Sequence, residues 1–140
     1  MGARFFVDTN IFVYSFDSRA KKKQRTAKDV VTEALSQNAG IISFQVIQEF
    51  LNVATRKFKQ PLTVRDSKLY LNRVLFPLCE IFPNESLYAT ALDVTSETQY
   101  TFYDSLILAA AVAGKCKTLY SEDLCHQRTV RGVTIINPFQ

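Results

Sequence analysis

Residues 104–123 read DSLILAAAVAGKCKTLYSED, and this stretch decides the fold. From Asp104 to Ala113 it is nearly all aliphatic, without the polar face of a surface helix, and Gly114 stands where a helix would stop. A helix enclosed on most sides is predicted, close to the centre of the core. Thr118–Tyr120 then makes a short strand that gives way to Ser121, Glu122 and Asp123. A buried helix feeding a strand, with carboxylates just past the strand end, fits an α/β domain in which helices cover a parallel sheet.

Working outward, Arg4–Val7 is a second short apolar strand, and Asp8-Thr9-Asn10 supplies the residues that begin a helix. Lys22–Leu35 carries Ala27, Val30, Val31, Ala34 and Leu35 at helical spacing before the stop Asn38-Ala39-Gly40. Ile41 and Ile42 start another strand. Ser43 is positioned to cap a helix to about Phe58, with Val46, Phe50, Val53 and Ala54 on one stripe. Thr63 opens a further helix with Leu69, Val74 and Leu75 turned inward, and Pro77 is expected to end it. Cys79–Phe82 reads as a strand, Glu85–Glu97 as a helix, and Val133–Ile136 as the last strand after a loop at Ser121–Gly132. The expected architecture is a single α/β domain over residues 1–140, a mostly parallel sheet flanked by helices.

The 47% hydrophobic content of 140 residues suffices for one continuous core. No apolar run approaches the roughly 18 residues that cross a bilayer, and the N-terminus lacks a signal-peptide core. A cytoplasmic protein with no membrane association is expected. Cys79, Cys116 and Cys125 are odd in number and lack CxxC spacing, which argues against a disulfide framework or structural zinc. The formal charge of +4 permits a polyanionic partner. Lys21, Lys22, Lys23 and Arg25, and Arg56, Lys57 and Lys59, are candidate phosphate contacts, or else the solvated faces of their helices.

Four acids interrupt or end otherwise apolar segments. Asp8 and Asp123 follow strands, where ligands of α/β sheets collect. Glu49 lies between Val46, Phe50 and Val53 on one helix face, with Gln48 marking the polar boundary, and Asp104 starts the aliphatic helix. Each has an ordinary alternative: Asp8 or Thr9 as a helix cap, Glu49 reaching to water, Asp104 as a cap or first-turn acid, Asp123 as a loop carboxylate. Asn10 is a turn residue, or a side chain orienting Asp8 or a metal-bound water. Together the four acids could meet at one sheet edge. Two such charges about 4 Å apart repel by roughly 4 kcal/mol at an effective dielectric near 20. A hard divalent cation, Mg2+ or Mn2+, would relieve that repulsion.

The segments FFVDTNIFVYSFD, ISFQVIQEF, FYDSLILAAAVAGKCKTLYSEDL and VTIINPF, in this order, resemble the PIN domain, in particular VapC-like toxins, across essentially the whole chain. The resemblance implies that Asp8, Glu49, Asp104 and Asp123 are the catalytic and metal-binding residues. Asn10 and Ser121 would assist, and Glu122 would be a supplementary acid. It also implies a metal-dependent endoribonuclease, a cognate antitoxin and a homodimer, with Lys21, Lys22, Lys23, Arg25, Arg56 and Lys57 available to RNA. The single histidine rules out a mechanism that uses two imidazoles, and no serine-nucleophile elbow or phosphate-cradling glycine loop offers another chemistry. Two other readings stay open: a noncatalytic RNA-binding or interaction module on the same fold, and a structure-selective DNA nuclease.

Overall fold

The computed structural model describes residues 3–140. Its six strands, β1 (Phe5–Val7), β2 (Gly40–Ser43), β3 (Cys79–Ile81), β4 (Thr118–Tyr120), β5 (Thr129–Val130) and β6 (Val133–Ile136), form one sheet in the order β3-β2-β1-β4-β6-β5. All neighbours are parallel except β5 and β6. The chain leaves β1 toward β2 and β3, then returns to lay β4 on the other side of β1. The sheet therefore has its switch point between β1 and β4, where an α/β fold opens a crevice at the carboxyl ends of its strands.

Helices α1 (Thr9–Tyr14), α2 (Lys21–Gln37), α3 (Phe44–Arg56), α4 (Val64–Tyr70), α6 (Glu85–Thr98) and α7 (Phe102–Ala113) flank the sheet, with a short α5 (Phe76–Leu78) before β3. The aliphatic run of α7 is enclosed as its composition requires: Ser105 to Ala111 are all buried, with α6 packed alongside. Phe6, Val7, Ile41, Ile42, Leu119 and Ile135 of the strands are fully buried, as are Phe12 and Phe50, whose rings meet edge to face at 6.3 Å. Gly40 is needed because β2 starts tight against α2, where a Cβ would collide with the Cα and Cβ of Ala34.

Two expectations are corrected. Pro77 does not end the helix begun at Val64. The chain widens into a π-turn at Leu71–Leu75 and resumes as α5, so Pro77 falls in a new first turn, where its missing N–H is tolerated. The segment 121–132 is not all loop, because β5 folds back on β6 through Arg131 and Gly132, both at positive φ (49° and 84°). Two such residues make the kind of turn that matches strand twist in a hairpin. Glu97 supports this unusual use of Arg131 by accepting from its guanidinium at 3.1 Å.

Candidate active site

The crevice between β1 and β4 is lined with carboxylates. The backbone N–H of Asp8 continues the ladder by donating to the Tyr120 carbonyl at 3.0 Å, so Asp8 and Ser121 sit side by side just past their strands. Asp8 is extended (φ −75°, ψ 162°) and caps α1, its Oδ1 accepting from the Thr9 N–H at 2.7 Å. Its Oδ2 accepts from the Ser121 hydroxyl, also at 2.7 Å. The cap and the site are thus one residue, with Asp8 only 7% exposed.

Glu49 enters from α3. Its Oε1 accepts from Thr9 Oγ1 at 2.7 Å and its Oε2 from Gln45 Nε2 at 3.0 Å, one helical turn earlier. The same Gln45 amide donates to the Tyr103 carbonyl at 3.1 Å, tying α3 to the start of α7. Asp104 is a first-turn acid there rather than the cap. Thr101 is the cap, its hydroxyl accepting from the Asp104 N–H at 3.2 Å. Asp123 is exposed, and its Oδ2 accepts from Asn10 Nδ2 at 2.9 Å. Asn10 therefore reaches Asp123 instead of Asp8, and its own Oδ1 accepts from the Glu122 N–H. Glu122 turns to α1 and α2, accepting from Tyr14 at 2.7 Å and Lys23 at 2.5 Å.

The electrostatics separate these acids from the rest of the chain. Among the described residues none of Asp8, Glu49, Asp104 and Asp123 is paired with Lys or Arg; Asp17, Glu80, Asp93, Glu97 and Glu122 are paired, and Asp29, Glu33, Asp66 and Glu85 are unpaired but exposed, so it is burial and mutual repulsion that mark the four. Burial pushes the Asp8 carboxyl up to about 7 against the pull of its Ser121 and Thr9 bonds, and the charges of Glu49 and Asp123 add to the rise. Asp104 is also raised, by partial burial first and then by Asp123 and Glu49, with Thr101 opposing. Burial would raise Glu122 too, but Lys23 and Tyr14 hold it below the usual carboxylate range.

The four acids thus share one sheet edge and feel one another, and Asp8, Glu49 and Asp123 are held by neutral donors. Among the described residues no three His, Cys, Asp or Glu side chains lie close enough together to hold a metal ion. The oxygen-only donor set has the chemistry of a hard divalent site, in an arrangement looser than a closed metal centre. Of the candidate RNA contacts, Lys21, Lys22, Arg25, Arg56 and Lys57 are exposed, while Lys23 is committed to Glu122.

The family model of the PIN domain matches residues 5–131, which spans all of these side chains. The chain belongs to the PIN domain family. A comparison with curated protein sequences gives no match. Among solved structures, this PIN domain is similar to a toxin–antitoxin complex from Klebsiella pneumoniae, at 20% identity and a TM-score of 0.70, covering 97% of this chain and 98% of that one. It is similar to VapC20 of Mycobacterium tuberculosis, described as a sarcin–ricin loop cleaving toxin, at 18% identity and a TM-score of 0.59, covering 85% and 89%. It is also similar to VapBC2 from Rickettsia felis bound to a DNA fragment from its promoter, at 17% identity and a TM-score of 0.64, covering 94% and 96%. At these identities the likeness speaks for the fold.

Two side chains of this PIN domain's crevice escape a reading of the sequence. Thr9 reads as a cap, but its hydroxyl serves Glu49. Gln45 reads as an ordinary polar residue, yet it is 3% exposed and bonds two neighbouring elements. The available signal was the four-residue step from Gln45 to Glu49, which puts both on one helix face.

Proposed function

We propose that this PIN domain is a metal-dependent endoribonuclease and the toxin of a toxin–antitoxin pair. The carrying observation is the set of four carboxylates at the switch point, one of them buried, with no Lys or Arg partner among the described residues. Carboxylates elsewhere in the chain are either paired or, like Asp29, Glu33, Asp66 and Glu85, exposed to water, whereas this cluster includes a buried acid and its members repel one another, so a cation supplied from outside is the economical complement. Asp8, Glu49, Asp104 and Asp123 would hold Mg2+ or Mn2+. An ion there supplies Lewis acidity at the scissile phosphodiester and makes water a stronger nucleophile.

The remaining work falls to neutral groups of the chain. Ser121 and the Thr9 N–H fix the direction of Asp8, while Thr9 Oγ1 and Gln45 fix Glu49. Asn10 holds Asp123 over the crevice, and the Lys23 and Tyr14 bonds to Glu122 anchor the turn that carries it. Lys21 and Lys22 project from an α2 N-terminus with neither a side-chain cap nor a first-turn acid, a place that favours phosphate. The antitoxin partner and homodimer belong to the same reading, supported by neighbours that are toxin–antitoxin complexes, and so does action in the cytoplasm.

The test is cleavage of single-stranded RNA by antitoxin-free protein with Mg2+ or Mn2+, abolished by EDTA and by Asp8→Asn. Cleavage that survives both treatments refutes the metal reading. RNA binding without cleavage favours a noncatalytic module, and preferential cleavage of flap DNA favours a structure-selective DNA nuclease.

A further inference from the structure

Two acids stand next to each other past β4, and the fold gives them different partners. Asp123 turns to Asn10, whose Nδ2 donates to its Oδ2 at 2.9 Å. Glu122 is drawn to a second set of side chains, its Oε1 accepting from the Tyr14 hydroxyl at 2.7 Å and its Oε2 from Lys23 Nζ at 2.5 Å. The Lys23 ammonium also donates to the Tyr14 oxygen at 3.3 Å, and it lies 4.7 Å from the centre of the Tyr14 ring and 5.5 Å from that of Phe139. Phe139 meets Tyr14 edge to face at 4.9 Å and 66°. Its own place is set from the backbone: its N–H donates to Asn137 Oδ1 at 2.9 Å, and the Asn137 N–H donates to His126 Nδ1, also at 2.9 Å. The end of α1, the first turn of α2, the turn after β4 and the segment after β6 therefore meet at one carboxylate. A lysine in the first turn of a helix opposes the helix dipole, and α2 has neither a side-chain cap nor an acid there. Glu122 supplies the missing negative charge from across the fold.

We propose that Tyr14, Lys23 and Phe139 are positioning residues of the cation site: by holding Glu122 outside it, they set the turn so that Asp123, and not Glu122, is the acid presented after β4. The inference rests on the metal reading of the crevice and deepens it, because it assigns Lys23 to that site instead of to RNA and removes Glu122 from the ligands. The lever is short. The backbone of the turn is firmly held at Ser121, whose N–H donates to the Ile136 carbonyl at 3.0 Å. Beyond it the backbone bonds are long, 3.4 Å from the Glu122 N–H to Asn10 Oδ1 and 3.3 Å from the Asp123 N–H to Ser121 Oγ. The bonds to the Glu122 carboxylate are shorter and charge-assisted, so they are the strongest polar hold on the turn. Asp123 is exposed and has a single amide bond of its own, so its direction follows the turn that carries it.

The experiment uses the full chain without RNA and reads Mn2+ binding from the paramagnetic resonance signal of the free ion, with urea midpoints measured alongside. Tyr14→Phe removes one hydroxyl, changes no charge and keeps the ring on Phe139; Phe139→Ala removes the ring. Each should weaken Mn2+ binding severalfold, and Glu122→Ala by about tenfold, the low end for groups that orient metal ligands. Glu122→Gln carries the same charge as the Ala variant, yet it should recover most of the loss, because its amide can accept from Lys23 and donate to the Tyr14 oxygen. In an Asp123→Asn background the effects of Tyr14→Phe and Phe139→Ala should disappear, since they act through that carboxylate. The proposal is overturned if Tyr14→Phe and Phe139→Ala lower only the urea midpoint and bind Mn2+ as the wild type does. It is equally overturned if Glu122→Gln binds as weakly as Glu122→Ala, which would make Glu122 a ligand, or if the losses persist in the Asp123→Asn background. The metal reading survives those results as long as the wild type binds Mn2+ and Asp8→Asn binds it less tightly; a wild type that binds no Mn2+ overturns both.

Discussion

Asp8→Asn should make the metal-free protein more stable while making it inactive. The folded-state carboxyl of Asp8 is raised from 3.8 to about 7, so the native state holds a proton there that the unfolded chain releases. That stabilisation is fully present below 3.8, falls as pH rises, and is gone above about 7. A difference of about three pK units at about 1.36 kcal/mol each makes the ionised form cost about 4 kcal/mol. Asparagine never ionises, and it can keep both contacts, its carbonyl accepting from Thr9 and its amide donating to the Ser121 oxygen. In EDTA, urea titrations across this window should show the two proteins alike near the acid end and the Asn variant ahead at neutral pH. With a urea slope of about 1–3 kcal/mol per molar, the neutral gap should be on the order of 2 M in midpoint. Added Mg2+ should then stabilise the wild type by about 2.7 kcal/mol at a hundred times its dissociation constant and leave the variant unmoved. Equal stability in EDTA at neutral pH, or equal gains from Mg2+ in both proteins, would refute the electrostatic account of Asp8.

Two further perturbations test other parts of the structure. Lys21→Ala with Lys22→Ala should weaken RNA binding without changing the fold, and each lost phosphate contact should reduce the slope of log affinity against log salt by about 0.7; fluorescence titrations at several salt concentrations measure it. Gly40→Ala places a methyl against Ala34 and should destabilise the protein by about 1–3 kcal/mol, seen as a lower urea midpoint with an unchanged slope.

What was legible in the sequence were features with a local physical cause. The enclosed helix after Asp104 announced itself through an aliphatic run that no water-facing helix could carry, and the strands through short apolar segments closed by polar residues. Asp8 was visible because a strand end coincided with a helix start, which the structure shows as one residue capping α1 and facing the crevice. The π-turn at Leu71–Leu75 was not legible, because no residue type there demands a wider turn; it arises where the helix must resume before Pro77. The β5–β6 hairpin was hidden because Arg131 occupies a position that Asn or Gly usually signals, held there with help from Glu97. Gln45 was silent for a different reason. A buried amide is worth its desolvation only through its partners, here Glu49 and Tyr103, and those are set by tertiary placement.

If the crevice binds a cation as proposed, the choice of supporting residues follows from what such a site must avoid. A lysine or arginine at Ser121, Thr9, Gln45 or Asn10 could pair with the nearby carboxylate and relieve the cost carried by Asp8, a gain of the kind seen where Lys23 meets Glu122. It would also cancel the negative potential that draws a divalent ion, and would hold the carboxylate oxygens on a fixed partner. Hydroxyl and amide donors orient the same oxygens as dipoles and leave the charge in place. The instability of ionised Asp8 is therefore tied to the proposed function: whatever neutralises the cluster from within the chain should raise stability and lower metal affinity together.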